Sequence, residues 1–312
     1  MKTTSVPYYW SPPRAPVIST VRSINTTIDR IFYNTDSLSV DEQTEFERHT
    51  TPQGFIVVTY PRASRTKTRV VHTWEFVKEQ KASTNPVDTI AVAGVGSSAL
   101  GTASLCRDAA DYLRRPVAGV VSGLGLSDVM AEAMGGWFVF GWRNALRDLL
   151  AKTLRTCGVE DKVRTQKTHD AIKAHFRSLR ADPDFFIYGC PDSTALLYIL
   201  STLGHRIKLL LGHSKGNLSI ENALEGLEQL AQTSGKPVQS KPEIVTLGAV
   251  TWFDPESRRH LHQFLGELDL LGFLNSRWDV RRVYLPWAWH SLNLALPGHM
   301  SVANTLREAG VH

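Results

Sequence analysis

Gly212-His213-Ser214-Lys215-Gly216 sets a glycine two residues either side of a serine, between an apolar run ending at Leu211 and a helical pattern reaching Leu224. That spacing suits a sharp strand-to-helix turn, the signature of a nucleophile elbow. The turn strains the serine backbone, and a side chain at Gly212 or Gly216 would clash with its neighbours. The chemistry on offer is nucleophilic. The serine Oγ is lifted out of the sheet, and the N–H of Lys215 at a helix N-terminus is placed to hold a negative oxygen.

A serine nucleophile needs a base and a carboxylate to orient it, and in open α/β sheets these follow the carboxyl ends of later strands. Asp269 in GELDLLGFLNS is the candidate acid, with Asp254 and Asp279 as competitors suited to turns or caps. For the base there are two candidates, His290 in LPWAWHSLN and His299 in LPGHMSV. His213, beside the serine on a strand, points to the opposite face and suits orienting the elbow by hydrogen bonding. A second oxyanion donor is expected in Gly94-Val95-Gly96-Ser97-Ser98, just after the first buried strand. The same GxG does not make a dinucleotide fingerprint. Ala99 occupies the third glycine's place, and no acid closes the next strand.

The positioning elements come from the apolar pattern. Residues 1–50, rich in proline and Ser/Thr, read as an irregular arm. Residues 54–60 and 68–76 read as two strands of an antiparallel edge hairpin, followed by a polar link. From Asp88 strands and helices alternate: strands over 88–95 and 116–123, a helix over 99–113, and a helical region over 128–157. A helix over 193–203 precedes the elbow strand; strands at 243–247, 260–268 and 280–285 and a closing helix at 301–309 follow it. This predicts an α/β protein with a mostly parallel, doubly wound sheet and helices on both faces. The expected organisation is an arm and hairpin over 1–85 and a catalytic domain over 86–312, with a helical cap around 128–185.

At 312 residues, with 42% hydrophobic and 21% charged residues, the chain fits a globular protein with a large core. A net charge of +5 is too mild for a nucleic-acid-binding composition. The basic stretch 152–180 reads as a solvated face or a cap approaching an anionic surface. The N-terminus lacks a secretory apolar region, and no run is long enough to span a bilayer. Cys106, Cys157 and Cys190 lack metal spacing and read as reduced thiols of a cytoplasmic protein. No cofactor or metal is required. Lys215 opposes the helix dipole, so it must be exposed or paired. Trp137, Phe138, Trp252, Phe253, Trp287 and Trp289 follow strand ends or open a helix and are candidate walls of an apolar substrate pocket, with Gly135-Gly136 as a lid hinge; the alternative is ordinary core.

Over residues 88–310 the chain resembles an α/β-hydrolase-fold serine hydrolase of the lipase/esterase kind. GHSKG resembles the lipase GHSxG, and VRRVYLPWAWHSL resembles the last-strand approach to a catalytic histidine, with Trp289 where that family usually has glycine. IVTLGAV…ELDLLG is similar to class 3 lipases, although Asn217 interrupts their glycine pair. The resemblance implies a Ser214, Asp269, His290 triad, an oxyanion donor at Val95, Gly96 or Ser97, and hydrolysis of a small-molecule or lipid-like carboxylic ester through an acyl-serine. It also leaves room for a thioesterase or acyltransferase, a storage-polyester depolymerase, or a silent relative that keeps the elbow for packing.

Overall fold

The computed structural model describes residues 26–48, 51–122, 162–179, 191–235, 241–255 and 257–312. Expectations for Trp137, Phe138, Gly135-Gly136, Cys157, Cys190 and the helical region over 128–157 lie outside these residues.

Eight strands form one mixed sheet: β1 (Ile56–Thr59), β2 (Arg69–Val71), β3 (Thr89–Val92), β4 (Val117–Val120), β5 (Leu209–His213), β6 (Glu243–Leu247), β7 (Leu261–Gly266) and β8 (Val283–Leu285), in the order β2-β1-β4-β3-β5-β6-β7-β8. β4, β3, β5, β6, β7 and β8 run parallel. β1 is antiparallel to both β2 and β4, so the sheet runs continuously across residue 85.

Alternate residues of the central strands feed opposite faces, as a pleat with period two requires. Ile90, Val92, Leu210 and Ile244 enter one core, with α3 (Thr73–Ala82), α5 (Lys162–Ser178), α6 (Pro191–Leu203) and α7 (Lys215–Ser234). Ala91, Ala93, Leu209, Leu211 and Val245 enter the other, with α4 (Ala99–Leu113) and α9 (Val302–Glu308). The α4 side is tight: a Cβ on Gly119 would lie 2.5 Å from Cys106 Sγ and from Thr102 Cγ2. Strands buried on both faces read as unbroken apolar runs, which is why the parallel core is legible.

Two expectations are corrected. The second N-terminal strand stops at Val71, and Thr73–Ala82 is helix where a strand end and a polar link are expected. His72 and Glu75 cap it reciprocally, and that local pairing overrides the β-favouring TRVVHTWEF pattern. Residues 26–48 are not irregular. They form α1 (26–32), a 3₁₀ turn at Thr35–Ser37 and α2 (Val40–Arg48). Ser39-x-x-Glu42 is a capping box, with Glu42 N–H donating to Ser39 Oγ at 3.3 Å and Ser39 N–H to Glu42 Oε2 at 3.0 Å.

Among the described residues no helix is long and apolar enough to cross a membrane.

Candidate active site

The strand order reverses between β3 and β5, with β4 on one side and β6 on the other. In open α/β sheets the crevice beyond the carboxyl ends at such a point is where ligands bind. Ser214 directly follows β5, and the Gly94–Ser97 turn leaves β3 beside it. A Cβ on Gly94 would sit 3.1 Å from Ser214 Cβ.

Ser214 has φ 54° and ψ −121°, a conformation that L residues avoid. The glycines around it are sterically required. A Cβ on Gly216 would collide with Val92 O, and one on Gly212 with Asn217 Oδ1 and, at 2.9 Å, Ile220 Cδ1. Asn217 ties the turn to the next strand, its Nδ2 donating to Leu247 O at 3.0 Å and Ala249 O at 2.7 Å. The residue that departs from the lipase-like glycine pair therefore holds the elbow against β6.

β7 and β8 supply the other two groups. Asp269 caps α8 (Leu270–Leu274), accepting Gly272 N–H at 2.7 Å. Both its carboxylate oxygens lie 2.8 Å from His290 Nδ1. His290 Nε2 lies 2.9 Å from Ser214 Oγ. A carboxylate can only accept, so Nδ1 carries the proton and Nε2 offers its lone pair to the serine hydroxyl. All three side chains are buried. The arrangement can take a proton from Ser214 and stabilise the resulting imidazolium.

His299 is not part of this chain of bonds. It is half-buried, and its Nδ1 closes a turn to Leu296 O at 2.8 Å. The competing acids also have local partners. Asp254 Oδ1 accepts Ser257 N–H at 3.0 Å, and Asp279 pairs with Arg277 at the surface.

Of the expected oxyanion donors, Ser97 N–H turns back to Gly94 O at 3.3 Å. The Val95 and Gly96 amides, in a turn with Gly96 at φ 69°, are left as candidates there, alongside the Lys215 amide at the start of α7. The Lys215 side chain is buried, with Nζ 3.4 Å from the fully buried Asp192 Oδ2. It is therefore paired rather than exposed.

Of the candidate wall residues, four are described. Phe253 is buried and packs in the core cluster with Ile220 and Ile244. Trp252 is half in solvent with Arg258 stacked 4.5 Å from its ring centroid. Trp287 is 75% exposed. Trp289 is half-buried and donates to Pro297 O at 2.9 Å.

Sequence reasoning does not reach three buried residues that surround the site. Asp192 holds Lys215. Asp29 accepts Ser98 N–H at 3.2 Å and Ser98 Oγ–H at 2.5 Å, fixing the start of α4 beside the Gly94–Ser97 turn. Burial pushes the Asp29 carboxyl up to about 7 against hydrogen bonds from Ser98. Tyr33 accepts Gly94 N–H at 2.6 Å and lies 3.0 Å from His213 Nδ1. The Ser39-x-x-Glu42 box was the available signal that this segment is ordered, but nothing local marks Asp29 or Tyr33.

No group of three or more His, Cys, Asp or Glu side chains among the described residues could hold a metal ion. In comparisons with known proteins, the chain matches no family model, no curated protein and no solved structure.

Proposed function

We propose that this chain is a serine hydrolase of carboxylic esters, built on an α/β-hydrolase fold and working through an acyl-Ser214 intermediate. One observation carries the reading. Ser214, His290 and Asp269, distant in sequence, form one hydrogen-bonded series with the serine held at positive φ on a strand-to-helix turn. Such strain persists only where the surroundings over-determine it, and it gathers at active sites.

In this reading Ser214 Oγ attacks the ester carbonyl while His290 Nε2 takes its proton. Asp269 keeps the imidazole in the Nδ1–H form and offsets the charge it gains. The tetrahedral oxyanion is held by the amide of Lys215 and by Val95 or Gly96; one such donor is typically worth about 100- to 1,000-fold in rate. His290 then returns the proton to the leaving alcohol, the C–O bond breaks, and acyl-Ser214 remains. Water, deprotonated by the same imidazole, releases the acid and restores the serine.

Exposed apolar side chains support an ester with an apolar group. Leu268 and Leu270 flank the proposed acid, and Trp287 lies three residues before the proposed base. The buried Cys106 thiol agrees with a reducing, cytoplasmic setting.

The test is direct. A fluorophosphonate probe should label Ser214, and p-nitrophenyl esters should be hydrolysed by the native chain but not by Ser214→Ala. Labelling at another residue, or full activity in the variant, would remove the proposal.

A further inference from the structure

His213 immediately precedes the proposed nucleophile but touches neither the serine hydroxyl nor the acid. Its ring is fully buried and lies between two partners that dictate its protonation. Nε2 faces His290 O at 3.1 Å, and a carbonyl oxygen can only accept. Nε2 therefore carries the proton. Burial, then the neighbouring His290, hold the ring well below the ordinary histidine range, so it stays neutral and Nδ1 keeps its lone pair. Tyr33, 3.0 Å from Nδ1, must donate to it. The Tyr33 oxygen in turn accepts Gly94 N–H at 2.6 Å. Polarity thus runs one way: Gly94 N–H to Tyr33 O, Tyr33 O–H to His213 Nδ1, His213 Nε2–H to His290 O.

This line joins the two halves of the site. Gly94 opens the turn proposed to hold the oxyanion, and His290 is the proposed base. The same N-terminal segment grips the base loop along its backbone. Leu292 N–H donates to Phe32 O at 2.8 Å, and Ser291 Oγ–H donates to Ile31 O at 2.7 Å. Phe32 packs edge-on to the His290 ring with centroids 5.7 Å apart. The His213 and His290 rings lie 5.0 Å apart, so a shift of one is felt by the other.

We propose that Tyr33 is a positioning residue for the hydrolytic reaction, setting the spacing between the oxyanion turn and His290 through a tautomerically fixed His213. The inference rests on the serine-hydrolase reading. It adds that a segment remote in sequence from the elbow, residues 29–33, is an integral part of the active site. The Tyr33 hydroxyl acts through Gly94 and His213. Without it, the Gly94 amide loses its acceptor, and His213 can move its proton to Nδ1 and release the His290 carbonyl.

The test compares the native full-length chain with Tyr33→Phe, using fluorophosphonate titration to count active serines and ¹⁵N–¹H spectra of the histidine rings. Misplacement of reacting groups by about 1 Å can cost on the order of 100-fold. The expected result is a roughly 10- to 100-fold lower kcat per titrated serine with KM little changed, and His213 Nε2–H in the native chain giving way to mixed tautomers in the variant. A purely structural tyrosine would lower the number of titratable serines and leave kcat per serine intact, which would overturn the inference. Finding the native His213 proton on Nδ1 would also overturn it, and that measurement does not depend on the variant folding. If the native chain is not labelled at Ser214, the hydrolase reading falls separately, while the ring spectra still decide whether the Tyr33–His213 junction exists.

Discussion

Lys215 and Asp192 form a buried ion pair directly behind the elbow, Nζ to Oδ2 at 3.4 Å, with both side chains almost fully sealed from water. Asp192 also accepts Ser219 Oγ–H at 3.0 Å and Ser193 N–H at 3.0 Å, so α6 is bound to the first turn of α7. Removing one member of such a pair leaves a buried charge uncompensated, at a cost of about 3–5 kcal/mol. Lys215→Met should therefore lower unfolding free energy by roughly that amount, and Lys215→Met with Asp192→Leu by clearly less than the sum of the single changes. Urea unfolding of the two single variants and the double variant measures the coupling.

The strain at Ser214 predicts a gain in stability from a loss of function. Glycine adopts φ 54° without penalty, and a residue held in such a region typically carries about 1–3 kcal/mol. Ser214→Gly should unfold at higher urea by about 1 kcal/mol and show no esterase activity. Ser214→Ala, which keeps the Cβ, should lose activity without that gain.

Gly248, at φ 76°, is the floor beneath both histidine rings. A Cβ there would lie 2.9 Å from His290 Cε1 and 3.3 Å from His213 Nε2. The neighbouring side chains are themselves bonded in place, so the base would be displaced. Gly248→Ala is expected to reduce kcat/KM by on the order of 100-fold, with slower fluorophosphonate labelling of Ser214. Gly235→Ala is the control, since it has positive φ but meets nothing within 4 Å. It should affect stability alone.

Two titratable groups, the buried Asp29 and the half-buried His175, should bend the stability profile in opposite directions. Burial, and secondarily Lys81, depress His175 to about 4. Its contribution is complete above the ordinary histidine value and is lost as pH falls from about 6.5 to 4, because the unfolded chain takes up the proton first. Asp29, raised to about 7, behaves oppositely: its contribution is present at low pH and is lost as pH rises from about 4 to 7. Unfolding free energies of the native chain, His175→Gln and Asp29→Asn across pH 4–8 separate the two slopes. Each variant should lack its own.

Much of the parallel core could be read from pattern. The strands around Ile90, Val117, Leu209 and Ile244 are apolar on both faces, and only burial on both sides sustains such runs. The elbow was equally legible, because a Cβ at position 216 would collide with Val92 O, so only glycine fits there. The N-terminal region is less legible for a local reason. Proline and Ser/Thr content masked the Ser39–Glu42 box, and β-favouring residues around Trp74 masked the cap at His72.

By itself the sequence determined the elbow at Ser214, the chain order of acid and base candidates, and the alternation that makes a mostly parallel sheet. These depend on local spacing and on the periodicity of burial, both written in neighbouring residues. Tertiary structure alone sets His290 beside Ser214, 2.9 Å from a serine 76 positions away, and turns His299 to Leu296 O. It also decided that Lys215 is buried against Asp192, that Phe253 is core, and that Asp29 and Tyr33 reach the site from the N-terminal segment. Those outcomes rest on contacts between residues about 20 to 180 positions apart, and a hydrogen bond across such a distance leaves no periodic trace in the chain.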